Sequence, residues 1–276
     1  DPTAALRKAS IPAGRPRERT LSDEELRELA RRIPEAGLPK WAPSAIWLLL
    51  ATSARVGELL RAQWTDVDFG SGAWHIPAEN AKNGRAHLVH LSDFALARFL
   101  ELRALQEGPW VIGGRIPGNP TDEKALTRLV KYRQRLEGLP GPTRPLNKRT
   151  KKHAQALILP GGPWRPHDLR RTAATLMQEL GVLPAVIEKC LNHSEPALVR
   201  RTYQRAEYLP ERRDAFARLG AQVTQVEMAP RLMVREDPEM IRELNTGMIG
   251  MTLAGPISDF VGPRAWYLIG GAGTLA

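Results

Sequence analysis

Apolar positions early in the chain recur with the period of a helix. Leu26, Leu29, Ala30 and Ile33 fall on one face. Just before them, Ser22 and Glu25 have the spacing of a capping box, and Leu21 is placed to staple onto Leu26. A helix is therefore expected from Ser22. A second is expected over about residues 43–51, apolar on several sides and so central to the core. A short third follows Arg55, over about residues 56–62.

The period then changes. Residues 73–77 and 87–91 alternate as strands do, with the turn-forming pair Asn83-Gly84 between them, which predicts a β-hairpin. Ser92 is placed to cap a helix reaching about Gln106, and Thr121 to cap another reaching about Leu136. Helical sequence resumes at Asp168, with Leu169, Ala173, Leu176 and Leu180 on one face and Gly181 as its stop. A shorter helix over about 184–191 and an amphipathic stretch over 210–226 complete the pattern. The fold class expected is mainly α with a small antiparallel β-hairpin or sheet, an α+β arrangement.

Composition adds a partner class. The chain of 276 residues carries 40 Lys+Arg against 30 Asp+Glu, a formal charge of +10. Such a balance favours a polyanion such as nucleic acid. One cysteine, Cys190, excludes an internal disulfide framework and fits a reducing compartment, so a cytoplasmic protein is expected. Cys190 itself lies in helical sequence and reads as a small core residue. No apolar run reaches the ~18–20 residues that span a bilayer. Residues 1–20 read as a basic linker, 21–227 as the main domain and 228–276 as a glycine-rich tail to which the sequence assigns no role. The opening Asp1-Pro2-Thr3, without a methionine or a signal-peptide pattern, reads as that of a fragment or processed product. The stretch 138–166 is rich in Pro and Gly and holds Arg144, Lys148, Arg149, Lys151 and Lys152, either a solvated loop or a grip on backbone phosphates.

Six residues carry candidate chemistry: Arg55, Lys82, His167, Arg170, His193 and Tyr203. Each alone has an ordinary reading as a surface ion pair, a solvated turn, a helix cap or a packed ring. Together they suit one task. Arginine stays charged and donates two parallel hydrogen bonds, which suits a phosphodiester anion. Arg55 stands at a loop-to-helix junction, with Glu58 three residues on to orient it. His167 and Arg170 are spaced to share one side of a helix start, whose positive end favours an anion. Histidine titrates near neutrality and so passes protons. Lys82, beside the hairpin turn, has a flexible stem that can reach a leaving oxygen. Tyr203, ten residues after His193 and flanked by arginines, is the candidate nucleophile, with Tyr208 its nearest competitor.

This ordered set resembles the tyrosine recombinases, the family of phage integrases and related site-specific DNA recombinases. The segments that carry the resemblance are Arg55-Val56-Gly57-Glu58-Leu59-Leu60, the hairpin Lys82, His167-Asp168-Leu169-Arg170, Leu191-Asn192-His193-Ser194 and Tyr203. It covers roughly residues 17–220, and residues 203–213 look most like the prophage and satellite-phage integrases. Where the family usually has Gly before the histidine, this chain has Asn192, a residue that tolerates left-handed backbone better than most. The resemblance implies that Tyr203 attacks the scissile phosphorus and forms a 3′-phosphotyrosine link. Arg55 and Arg170 hold the non-bridging oxygens with His193 assisting, Lys82 protonates the leaving 5′-oxygen, and His167 takes the tyrosine proton. It implies double-stranded DNA attachment sites as partners and self-association on DNA into a tetrameric synapse. Neither metal, ATP nor other cofactor is implied, and no membrane. A bacterial or phage-derived protein at the nucleoid follows, with an upstream DNA-binding domain.

Two other readings compete. Residues 168–191 superficially form a helix-turn-helix, which would make the chain a DNA-binding protein without catalysis; its second helix, however, is apolar at Val186, Ile187, Cys190 and Leu191. A type IB topoisomerase has a related catalytic set, but the integrase-like segment after Tyr203 disfavours it. The stretch 210–226 is expected to dock on a neighbouring protomer.

Overall fold

A computed structural model describes residues 18–105, 107–135, 152–193 and 206–233, with side chains up to 228. The chain divides into two compact units, Asp1–Met228 and Ala229–Ala276. The first helix, α1 (Asp23–Arg32), is set by its own sequence: Ser22 accepts from the Glu25 amide while Glu25 reaches back to the Ser22 amide. Glu25 also binds Arg19 and the Gly161 amide. Arg19, at the end of the segment read as a basic linker, is thus engaged within the chain; the other basic residues of that segment lie outside the described residues.

Helix α2 (Trp41–Thr52) is apolar all round, and ten of its twelve residues are buried. That is how a helix reads when other elements cover every side. It ends at Ser53, whose φ of +50° turns the chain toward α3 (Val56–Leu60). A three-stranded antiparallel sheet follows, in the order β1 (Val67–Asp68), β2 (Ala73–Ile76), β3 (His87–His90). Trp74 pairs with Val67 on one side and Val89 on the other. Its buried ring meets Phe99 of α4 (Asp93–Leu105) edge-on, centroids 5.6 Å apart, which seats the sheet on that helix.

Helix α5 (Ala125–Tyr132) starts later than Thr121 predicts. The Thr121 hydroxyl donates to the Gly113 carbonyl instead, so it is spent on a tertiary contact and does not cap. Helix α6 (Pro166–Glu179) begins two residues before Asp168, with Pro166 in its first turn, where a missing N–H does no harm. Helix α7 (Pro184–Cys190) turns Val186, Ile187 and Cys190 into the core. The last helix, α8 (Leu209–Met233), runs past residue 226. Its residues Ala215, Phe216, Leu219, Val223 and Val226 are buried in the chain's own core. The apolar stripe of this stretch, which is expected to dock on a neighbouring protomer, is thus covered within the chain itself. Among the described residues no helix is long and apolar enough to cross a membrane.

Candidate active site

Arg170 gathers the site. It lies at the start of the second turn of α6, only 4% exposed, and its two terminal nitrogens donate to the carbonyls of Ser53 and Leu191. Ser53 stands two residues before Arg55, and Leu191 two residues before His193. One guanidinium therefore fastens the junction that carries Arg55 and the loop that carries His193 to the helix start that carries His167. Each terminal nitrogen bears two N–H groups, so donors remain for an anion.

Arg55 stands immediately before α3 and is held by Glu58, which is buried. One carboxylate oxygen accepts from the Arg55 amide at 2.8 Å, the other from its Nη1 at 2.7 Å. Both Glu58 oxygens thus fix one residue. Burial pushes the Arg170 pKa down to about 10, and the positive charge of Arg55 is the second cause. Two guanidinium groups close enough for one charge to disfavour the other form a place for a negative ion.

His167 lies one turn from Arg170, with solvent reaching its ring. The surrounding protein nevertheless disfavours the imidazolium, and Arg171, Arg170 and Arg55 add to that, so its pKa lies below the usual value. That direction favours the neutral imidazole, the form that accepts a proton. His193 is exposed, and its Nδ1 pairs with Glu188 Oε2 at 2.8 Å, which leaves Nε2 to meet a substrate.

Lys82 is exposed on the segment joining β2 to β3. Asn83-Gly84 does turn the chain, with the Gly84 amide donating to Ala81, but inside a ten-residue connection rather than as a tight hairpin end. The neighbouring Asn83 binds Asn192 in the His193 loop, its Nδ2 lying 2.8 Å from the Asn192 carbonyl oxygen. The Lys82 loop and the His193 loop therefore meet. Tyr203 lies outside the described residues. Its competitor Tyr208 packs part of its ring against the core.

Two further residues shape the site and carried no signal in the sequence. His87 on β3 is half-buried; its Nε2–H donates to the Cys190 carbonyl at 3.1 Å, and its Nδ1 faces Arg212 at 3.4 Å. Arg212 of α8 also donates to the Leu88 carbonyl. Burial and Arg212 together push the His87 pKa down to about 3. His87 and Arg212 line a cleft of about 440 Å³ bounded by His193, Lys189 and Glu207. The helix-turn-helix alternative finds no support, because α7 turns its apolar side inward and exposes few readers.

Residues 19–209 match the model of the phage integrase family. The chain is 35% identical over 168 residues to the prophage integrase IntA of Escherichia coli strain K12, a match covering 61% of this chain and 35% of that protein. It thus spans about a third of the length of that curated relative. The integrase of mycobacterium phage Brujita has a similar fold, with a TM-score of 0.51 at 15% identity, covering 77% of this chain and 64% of that one. A match across most of the chain, on a fold that assembles Arg55, His167, Arg170 and His193, is decisive: this chain belongs to the phage integrase family.

Proposed function

We propose that the chain is the catalytic part of a site-specific DNA recombinase that cuts and rejoins DNA through a 3′-phosphotyrosine at Tyr203. The observation that carries this reading is the clasp of Arg170 on Ser53 and Leu191, which draws Arg55, Arg170, His167 and His193 toward one anionic substrate. The Tyr203 oxygen attacks the scissile phosphorus as its proton passes to neutral His167. Arg55 and Arg170 hold the non-bridging oxygens, whose charge grows in the transition state, and His193 donates from Nε2. Removing one such preorganised donor lowers the rate by on the order of 10²–10³. The 5′-oxygen leaves with a proton from Lys82, and a 5′-hydroxyl from a partner strand reverses the step. The ester retains the bond energy, so the cycle is isoenergetic. The partner is double-stranded DNA at an attachment site, with the chain self-associated on it as a tetrameric synapse.

The test uses a pool of nicked duplexes randomised around the nick, in which a short 5′-ended fragment diffuses away after cleavage. The chain should form detergent-resistant covalent complexes that yield a cleavable half-site by sequencing. Tyr203→Phe should form none while binding the half-site with nearly unchanged affinity, and Tyr208→Phe should behave as the parent. Adducts that persist in Tyr203→Phe would refute the assignment.

A further inference from the structure

We propose that Asn83 and Asn192 form a latch that positions Lys82 over the leaving oxygen, beside His193. The inference rests on the reading of Lys82 as the general acid. Lysine is a point charge on a flexible stem, with roughly 2 kcal/mol of rotamer entropy, so its usefulness as an acid depends on where its backbone is held. Lys82 sits near the tip of a ten-residue connection, and the strands at its two ends do not fix that tip. Ala81, just before Lys82, packs into the core, and on the other side of Lys82 the tie is made by the side chain that follows. Asn83 Nδ2 donates to the Asn192 carbonyl at 2.8 Å and to its Oδ1 at 3.2 Å. Asn192 Nδ2 returns to the Arg85 carbonyl at 3.1 Å and to Asn83 Oδ1 at 3.4 Å. Both amides are half-buried, and the contacts run in both directions.

The backbone of Asn192 makes the choice of residue informative. Its φ is +47°, a left-handed conformation that glycine adopts without a penalty and other residues adopt at some expense. Asparagine meets the backbone need imperfectly, but it supplies an amide that reaches across to the acid's loop. Asn192 is one residue from His193, and Asn83 is one residue from Lys82. The latch thus ties the group that protonates the leaving oxygen to the group that contacts the phosphate. Both are positioning residues, because neither is assigned contact with the reacting atoms.

The experiment compares two versions of the half-site recovered above, one with the natural 5′-bridging oxygen and one with sulfur in that place. In both, the Tyr203 oxygen bonds to phosphorus as the bridging bond breaks. A thiolate leaves without a proton, so the sulfur substrate does not need the acid. Asn83→Ala and Asn192→Gly should cleave the oxygen substrate about tenfold more slowly, a fraction of what a general acid contributes, and cleave the sulfur substrate at the parent rate. Lys82→Ala should show the same rescue with a larger starting loss. Asn192→Gly keeps the backbone conformation allowed, so misfolding does not mimic the result. Equal slowing on both substrates, with Lys82→Ala still rescued, would overturn the latch alone and leave the acid in place. Parental rates on oxygen in both asparagine variants would overturn it too. Absence of rescue in Lys82→Ala would remove the acid assignment, and the latch with it.

Discussion

Arg170 donates to the carbonyl of Leu191, twenty-one residues further along the chain and two before His193. The same guanidinium reaches Ser53, so a single buried side chain ties the site together and, on the proposed mechanism, also clamps the phosphate. Catalysis and stability are therefore coupled at this residue. Arg170→Lys can satisfy one carbonyl at most. Each buried acceptor left without a donor costs about 1–3 kcal/mol. We expect a lower Tm by differential scanning calorimetry and a cleavage rate reduced by about 10² or more. A variant that loses activity with an unchanged Tm would separate the two roles.

Glu58 spends both carboxylate oxygens on Arg55. Glu58→Gln keeps the shape but turns one acceptor into a donor facing a guanidinium. Cleavage should fall by about tenfold or more with little change in DNA affinity, because orientation is lost rather than charge on the surface. Single-turnover rates and a binding titration on the same half-site check this.

His87 makes stability depend on pH. Its folded pKa is pushed down to about 3 from an ordinary 6.5. Between those values the unfolded chain holds a proton that the folded chain refuses, so stability rises with pH from about 3 to 6.5 and is level above. His90 and His167 are shifted in the same direction and add to the slope. One such histidine contributes up to about 1.4 kcal/mol per pH unit. Denaturation midpoints should fall on acidification below pH 6.5, and His87→Gln should flatten that fall. An unchanged slope in the variant would contradict the buried, neutral state.

Gly220 lets α8 approach the start of α4. A Cβ there would overlap the side chain of Ser92. Alanine improves helix propensity by roughly 1 kcal/mol, yet Gly220→Ala should lower Tm, because overpacking costs about 1–3 kcal/mol. Ser92→Gly in the same chain should recover part of the loss. Thermal melts of the two variants decide it.

The parts of this molecule that were legible in its sequence are those where partners lie close along the chain. Ser22 and Glu25 announce α1, and the uninterrupted apolar run announces a central α2. The pairing of β2 with β3 followed from alternation, whereas β1 has only Val67 and Asp68 and offers no period to detect. Thr121 misled because a hydroxyl that suits a helix cap suits a carbonyl from another segment equally well. The candidate residues were readable by type and order. What holds them was not: Arg170 binds backbone carbonyls, which every residue has, so no residue type marks the partner. Asn83 read as a turn former and Asn192 as a substitute for glycine, and nothing in either reading announces that the two amides meet in space. His87 and Arg212 sit at unremarkable positions of a strand and a helix and become notable only when burial brings them together.

On the proposed mechanism, the phenol of Tyr203 becomes covalently joined to DNA at the pocket built by Arg55 and Arg170. Protease digestion of the trapped complex, followed by mass spectrometry of the nucleotide-bearing peptide, tests it most directly. A phosphonucleotide adduct on Tyr203, absent when Arg170 is replaced by alanine, is the predicted result. An adduct on Tyr208 or on any other residue would contradict it.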